Sequence, residues 1–198
     1  EQILSSYSPH EREMRRYGRP SIGSGLVFPL GEEKVMVDPM EIPSHWPRIA
    51  AIDFGWDHPT AVVWCAIDRD EEMFYVYDCY RASKASPSVH SAVIRTRPHF
   101  IPVAYPHDGN RRDSMGNPGL ADQYRNMGCN FLLEHFTNPP ALGSNKGSNS
   151  IEEGLMAMLQ SVEAGKFKVF STLSDWFEEF RMYHRKDNKV VPLRDDLM

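Results

Sequence analysis

The sequence predicts an α/β domain built on a mixed central sheet flanked by helices, and three observations carry that prediction. Residues 49–52 form a short apolar run with no polar face, which is how a strand reads when both sides of its sheet are covered. Residues 61–68 and 73–80 are rich in β-branched and aromatic side chains and are separated by a charged turn at 69–72, the pattern of an antiparallel hairpin. Beyond them, apolar runs alternate with segments of helical period. A hairpin followed by alternation gives the order β-β-β-α-β-α-β-α, and hence a sheet with both parallel and antiparallel pairs and helices on its faces.

A chain of 198 residues holds one domain, or a domain with an arm, and can bury about 70% of its unfolded surface. Hydrophobic residues at 41% and charged residues at 25% match ordinary soluble usage, so a globular protein is expected. No run of about 18 apolar residues is present to span a bilayer, and residues 1–19 are too charged for a signal peptide, which together predict a cytosolic setting. Cys65, Cys79 and Cys129 are odd in number and lack CxxC spacing. They predict buried free thiols rather than a disulfide framework or a thiolate zinc site. The net charge of −5 argues against a nucleic-acid binder that relies on bulk electrostatics. It leaves room for DNA held by local basic residues, or for acidic residues that hold metal.

In chain order, residues 8–18 carry a helix start, with Ser8 as N-cap, Pro9 in first place, Glu11 closing a capping box and Gly18 at the end. Its mostly charged face suits a solvated arm or an interdomain connector. Residues 18–47 repeat Gly and Pro around two apolar runs, 26–30 and 35–37, and predict an extended arm or small hairpin. Residues 1–47 are therefore expected to be a linker helix and arm, and residues 48–198 the domain. Asp53 ends the first apolar run just before Phe54 and Gly55, so a carboxylate reaches the rim of a buried sheet where the backbone turns. An isolated buried carboxylate costs several kcal/mol or surrenders its charge, so a cation is expected beside it.

After the hairpin, residues 86–98 predict a helix capped by Ser86, with Pro87 first, Val89 and Val93 inward, and Pro98 as the stop. Residues 101–105 predict a strand that ends in the corner Pro106, His107, Asp108, Gly109, which puts a second Asp at a strand's carboxyl end. A short helix at 119–127 closed by Gly128, a strand at 131–133 and a loop at 138–150 follow. Ser150 and Glu153 form a capping box ahead of a helix whose inner face is Ile151, Leu155, Met158, Leu159 and Val162, ended by Gly165. Residues 168–170 predict an edge strand, and residues 174–183 a second amphipathic helix with Trp176, Phe177, Phe180 and Tyr183 inward. These Met and aromatic stripes are core packing rather than a cofactor box.

The acidic positions carry the chemistry. Asp53 follows one strand, Asp108 another, and the pair Asp195 and Asp196 opens what reads as a terminal helix. Carboxylates from separate elements that converge at one rim repel unless a hard divalent cation sits among them, and Mg2+ or Mn2+ prefers oxygen ligands. Two such ions clamp a phosphodiester, one serving the attacking water and the other the leaving oxygen. Each Asp also has a plain structural use as a turn or N-cap former, so the spacing alone leaves both readings open.

The ordered set RIAAIDFGWDHPTAVVW (48–64), VAYPHDG (103–109), SIEEGL (150–155), DWFEEFRMYH (175–184) and RDDLM (194–198) resembles the nuclease domain of the large terminase subunit of tailed double-stranded DNA bacteriophages, of the headful-packaging type. The likeness runs from about Gly23 to the end, VFP and IPSHWPR included. The resemblance implies a ribonuclease-H-like fold of the resolvase and integrase type, and cleavage of concatemeric double-stranded viral DNA by an acidic cluster holding two Mg2+ or Mn2+ ions. Carried over residue by residue, Asp53 matches the first acidic position, Asp108 the second, and Asp195 or Asp196 the third, with Asp53, Asp108 and Asp196 as the implied metal ligands. The family pattern continues beyond this point into a helix with another Asp, so the C-terminal helix is expected to be truncated at Met198. No GxxxxGK[ST] phosphate loop occurs in the sequence, and a nuclease domain with a short linker is expected. The implied partners are double-stranded DNA, an ATPase motor domain of the same full-length polypeptide, a portal protein and a small terminase subunit. The implied location is the host cytoplasm, with no membrane association.

For phosphate contacts the local basic candidates are Arg81 and Lys84 after the hairpin, Arg111 and Arg112 past Asp108, and Lys146 in the glycine-rich loop. Asp57 is either a helper of Asp53 or a cap of its own turn. His107 adjoins Asp108 but suits a surface turn, and His58, His90, His99 and His135 lack ligand spacing. Two rivals stand beside the nuclease. Asp53, Phe54 and Gly55 followed by Thr60 also resemble the first phosphate loop of actin-like phosphotransferases, which need a second loop and lobe not evident here. A non-catalytic docking module of the packaging motor would have no use for metal at Asp53 and Asp108.

Overall fold

The computed structural model describes residues 25–111, 116, 118–140, 147–186, 189–191 and 196–198. The predicted helix at 8–18 and the candidates Arg112, Lys146 and Asp195 lie outside them. Strands β1 (Met36–Val37), β2 (Arg48–Asp53), β3 (Thr60–Asp68), β4 (Met73–Ala82), β5 (Val103–Ala104) and β6 (Phe167–Phe170) form one sheet in the order β1-β6-β4-β3-β2-β5. The β2–β3 and β3–β4 pairs are antiparallel, whereas β5 joins β2, and β6 joins both β4 and β1, in parallel. The predicted mixed sheet is therefore present. A small separate ribbon, β7 (Arg185–Lys186) with β8 (Lys189–Val190), follows the last described helix.

Helices cover both faces. On one face α3 (Ile151–Glu163) and α4 (Ser174–Met182) bury Leu155, Val162, Trp176, Phe177 and Phe180 against Ala61, Val76 and Val169. On the other, α1 (Pro87–Ile94) and α2 (Leu120–Asn126) bury Ile94, Ala121 and Tyr124 against Ala50, Ile52, Val62 and Trp64. The stop signals act as expected, with Gly128 and Gly165 at φ +84° and +73° after α2 and α3, but the capping is partial: Ser150 Oγ accepts from Glu153 N at 3.4 Å while Ser150 N donates to Ser148 Oγ, and the Ser86 hydroxyl pairs with Ser88 Oγ instead of capping α1. No described helix is long and apolar enough to cross a membrane.

Four local expectations change. The strand predicted at 168–170 is not an edge, because β1 pairs outside it; Val27, Phe28 and Val35, from the segment read as an arm, are buried in the same core. The inner face of α1 is His90, Ser91 and Ile94, while Val89 is 49% exposed, because two polar side chains find internal partners and shift the phase that apolar residues alone suggest. Ile151 likewise points out of α3. The strands predicted at 101–105 and 131–133 shrink to two residues in β5 and a single bridge between Val103 and Phe131. Finally, β2 is covered on one face only near its end: Ala50 and Ile52 are buried, but Ala51 and Asp53 are exposed. The helices that cover the Asp53 face over β3, β4 and β6 thus leave its β2 edge open.

Candidate functional site

β2 and β5 run in parallel with Ala51 opposite Ala104, so their carboxyl ends leave the sheet at the same rim. Asp53 is the last residue of β2; Asp108 lies four residues beyond β5, in a 3-10 turn spanning His107–Asn110. Side chains alternate along a strand, so Phe54 turns to the opposite side from Asp53. There it packs against Tyr124 and Phe131, with ring centroids 5.6 and 6.4 Å away. The Asp53 carboxylate stays at the rim, where Oδ1 accepts from Phe54 N at 3.0 Å.

The loop after Asp53 is pinned from inside. Thr60 Oγ1 accepts from Gly55 N at 3.1 Å and donates to Gly55 O at 2.9 Å, closing the turn on itself. A Cβ on Gly55 would sit 2.3 Å from His58 O and 2.6 Å from Pro59 O, both backbone, so only glycine fits. The turn that carries Asp108 is seated just as closely: a Cβ on Gly109 would lie 2.7 Å from the Phe54 and Tyr105 rings. Asn110 Oδ1 accepts from Tyr105 Oη at 3.0 Å, and Arg125 Nη2 donates to Tyr105 Oη at 3.0 Å. Two acidic positions are therefore fixed at one rim, each by a glycine pressed against its neighbour.

A cleft of about 370 Å³ opens beside Asp108, lined by Phe54, Trp56, Thr60, His90 and Tyr124 among others. Trp56 is 59% exposed at this edge, and its carbonyl accepts from Lys84 N at 2.8 Å. Lys84 itself takes φ +54°, an unusual conformation for a residue other than glycine, and its side chain is exposed. Arg111 is also exposed, directly after the Asp108 turn. His107 and His135 face each other across this corner with ring centroids 6.4 Å apart.

Arg81 has a different setting from Lys84 and Arg111. It lies opposite Ala61, which lies opposite Asp53, so the three share one face of the sheet, the face of α4. Its guanidinium meets Glu179 at 2.5 Å, Glu178 at 3.1 Å and Asp175 at 3.6 Å, all on α4. Glu179 is fully buried, and its second oxygen accepts from Leu197 N at 2.6 Å. Burial, the largest influence, raises the pKa of Glu179, while the Leu197 and Arg81 hydrogen bonds pull it down. Sequence reasoning did not find this buried ion pair; its partners are separated by 98 residues, and only the neighbouring acids of α4 hint at it. Burial pushes the Cys65 thiol up to about 12 and the Cys79 thiol up to about 11, where Asp175, Asp78 and Glu179 add to the rise, and it raises Cys129 as well.

Asp53 and Asp108 offer carboxylate oxygens, the donor chemistry of a hard divalent cation. Asp196 is half-buried in a turn next to Leu197, on the face that also bears Asp53. Among the described residues no group of three His, Cys, Asp or Glu is gathered closely enough to hold an ion, and Asp195 is outside them. The donor set fits hard metals in kind: two of its carboxylates stand at the rim, and Asp196 belongs to the segment that Leu197 anchors in the core on the Asp53 face.

Comparison with known proteins gives the same reading of the fold. The chain is 39% identical over 199 aligned residues to the large terminase subunit of Salmonella phage P22, covering all of this chain and 39% of the relative, so it spans about two fifths of that protein's length. It superposes on the P22 large terminase nuclease domain with a TM-score of 0.78 and 36% identity, covering 89% of this chain and 88% of that one. The nuclease domain of the phage SPP1 large terminase, solved with bound Mn, shares the fold at a TM-score of 0.55 and 15% identity, over 83% of this chain and 91% of that one. The terminase RNaseH-like domain matches residues 50–198, and the chain belongs to that family.

Proposed function

We propose that this chain is the divalent-metal-dependent endonuclease of a phage packaging terminase, cutting concatemeric double-stranded DNA. The observation that carries the proposal is the shared rim of Asp53 and Asp108 in a chain 36% identical to the P22 nuclease domain along nearly its whole length. Asp53 and Asp108, with Asp196 or Asp195 as the third donor, would hold two Mg2+ or Mn2+ ions; the Mn-bound SPP1 domain of the same fold supports a metal of this kind. When bound, such ions supply Lewis acidity for hydrolysis of the phosphodiester. The residues of this chain set the stage for it. Phe54 N–H orients the Asp53 carboxylate, and Gly55 and Thr60 stiffen the loop behind it, so little of the site must be ordered when DNA arrives. Lys84 and Arg111, exposed beside the rim, would take phosphates without reading bases, as would Arg112 and Lys146.

An ATPase motor in the same full-length polypeptide, a portal protein and a small terminase subunit complete the assembly we propose, in the host cytoplasm. The test is nicking of supercoiled plasmid with Mn2+. Asp53→Ala is expected to abolish cutting, a loss of at least about 100-fold, with the melting temperature unchanged. Retained cutting would remove Asp53 from the reaction, and a chain that neither cuts nor binds Mn2+ would instead be a docking module.

A further inference from the structure

We infer that Glu179, gripped by Arg81, is a positioning residue that fixes the peptide of Asp196 on the face of the sheet that carries Asp53. The inference rests on the metal-dependent reading of the site. Its basis is a continuous chain of contacts. Asp53, Ala61 and Arg81 stand in one row across β2, β3 and β4, so Arg81 starts two strand spacings, about 9.5 Å, from Asp53 on the same face. Arg81 Nη1 donates to Glu179 Oε1 at 2.5 Å, and Glu179 Oε2 accepts from Leu197 N at 2.6 Å. That N–H belongs to the peptide group joining Asp196 to Leu197, so the carboxylate holds the backbone of Asp196 itself.

Packing alone would not do this. The Leu197 side chain, 3% exposed, anchors the segment in the core formed by α3 and α4 but leaves the peptide free to rotate. A buried carboxylate with a donor on each oxygen sets the plane of the peptide and so the exit direction of the Asp196 side chain. The guanidinium does a second thing. It places positive charge among Asp175, Glu178, Glu179 and the Asp196 turn, a set of acids that repel one another. Arg81 thereby offsets the repulsion between Glu179 and the acidic Asp196 turn that it holds.

Glutamine at 179 isolates the effect. Its amide has one acceptor oxygen, so whichever of Arg81 and Leu197 keeps a bond, the other faces an NH2 group, donor against donor. Mn2+ titration by calorimetry, with hydrogen exchange at the Leu197 amide, is the measurement, made on the wild type, Glu179→Gln, Asp53→Ala and Val162→Ala. Glu179→Gln is expected to weaken Mn2+ binding by about 10–100-fold and to speed exchange at Leu197. Val162→Ala, which opens a cavity in the same core but removes none of these hydrogen bonds, is expected to lower the melting temperature with Mn2+ affinity unchanged, which separates positioning from general loosening. Wild-type Mn2+ affinity in folded Glu179→Gln would overturn the inference while leaving the nuclease reading in place. Mn2+ binding unaffected by Asp53→Ala would overturn the nuclease reading itself. If Glu179→Gln does not fold, Arg81→Lys carries the test, since an ammonium keeps the charge but cannot fork across Glu178 and Glu179; full affinity there would equally overturn the inference.

Discussion

His90 is the buried imidazole of the molecule's second face, 1% exposed, and its neighbours fix its state. Ala85 O can only accept, so Nε2 at 3.1 Å carries a hydrogen, and in the neutral ring Nδ1 then accepts from Tyr80 Oη, also at 3.1 Å. Burial lowers its pKa from the ordinary 6.5, with the bond to Ala85 acting in the opposite direction. The folded state therefore binds this proton less readily than the unfolded chain. The sign follows: the stability His90 contributes is complete above pH 6.5 and is lost as pH falls through the lowered folded value. Urea unfolding between pH 7.5 and pH 5 should show that loss in the wild type, and His90→Gln, which does not titrate, should flatten it. An identical slope in both would place the pH dependence elsewhere. Ligand spacing is silent on where His90 sits, and only the fold shows that it lies inside α1's buried face.

At the scale of elements, the turn from β2 to β3 concentrates the most constraint in the fewest residues. Ala at position 55 would drive a methyl into the carbonyls of His58 and Pro59, and both are backbone, so the turn must move as a unit. Gly55→Ala is expected to cost about 1–3 kcal/mol, the usual range for overpacking, by urea unfolding. Because Asp53 enters this turn directly, Mn2+-dependent plasmid cutting should fall by more than the unfolded fraction explains. Cutting that tracks stability alone would show that the loop does not set Asp53's position. What was legible at this scale follows from locality. The hairpin of β3 and β4, the N-cap of α3 and the aromatic face of α4 are written in adjacent residues, so periodicity and caps reveal them. β1 and the interior position of β6 depend on a partner over 130 residues away, which no local pattern encodes. The same division runs through the site: Asp53 and Asp108 show themselves as acids at strand exits, whereas Glu179 shows only as one acid in an amphipathic helix until Arg81 and Leu197 close on it.

At the scale of the whole molecule, the proposed nuclease role asks a chain with net charge −5 to approach a polyanion, so the affinity for DNA that this role requires must come from a few placed cations. Arg81 is engaged with three acids of α4, which leaves Lys84 and Arg111 exposed at the rim, with Arg112 and Lys146 as the remaining basic candidates. Two to four phosphate contacts imply that log affinity falls with log salt at a slope of roughly −2 to −4. Fluorescence anisotropy of a labelled duplex, with Asp53→Ala to prevent cutting, measures that slope. Lys84→Ala should reduce it by about 1 and weaken duplexes of different sequence alike, because a phosphate contact carries no base information. Arg81→Ala should leave the slope as it is, since that guanidinium is already held by carboxylates. A slope steeper than the exposed cations can supply, or one that falls with Arg81 and not with Lys84, would move the DNA path from the Lys84 corner to the face of α4.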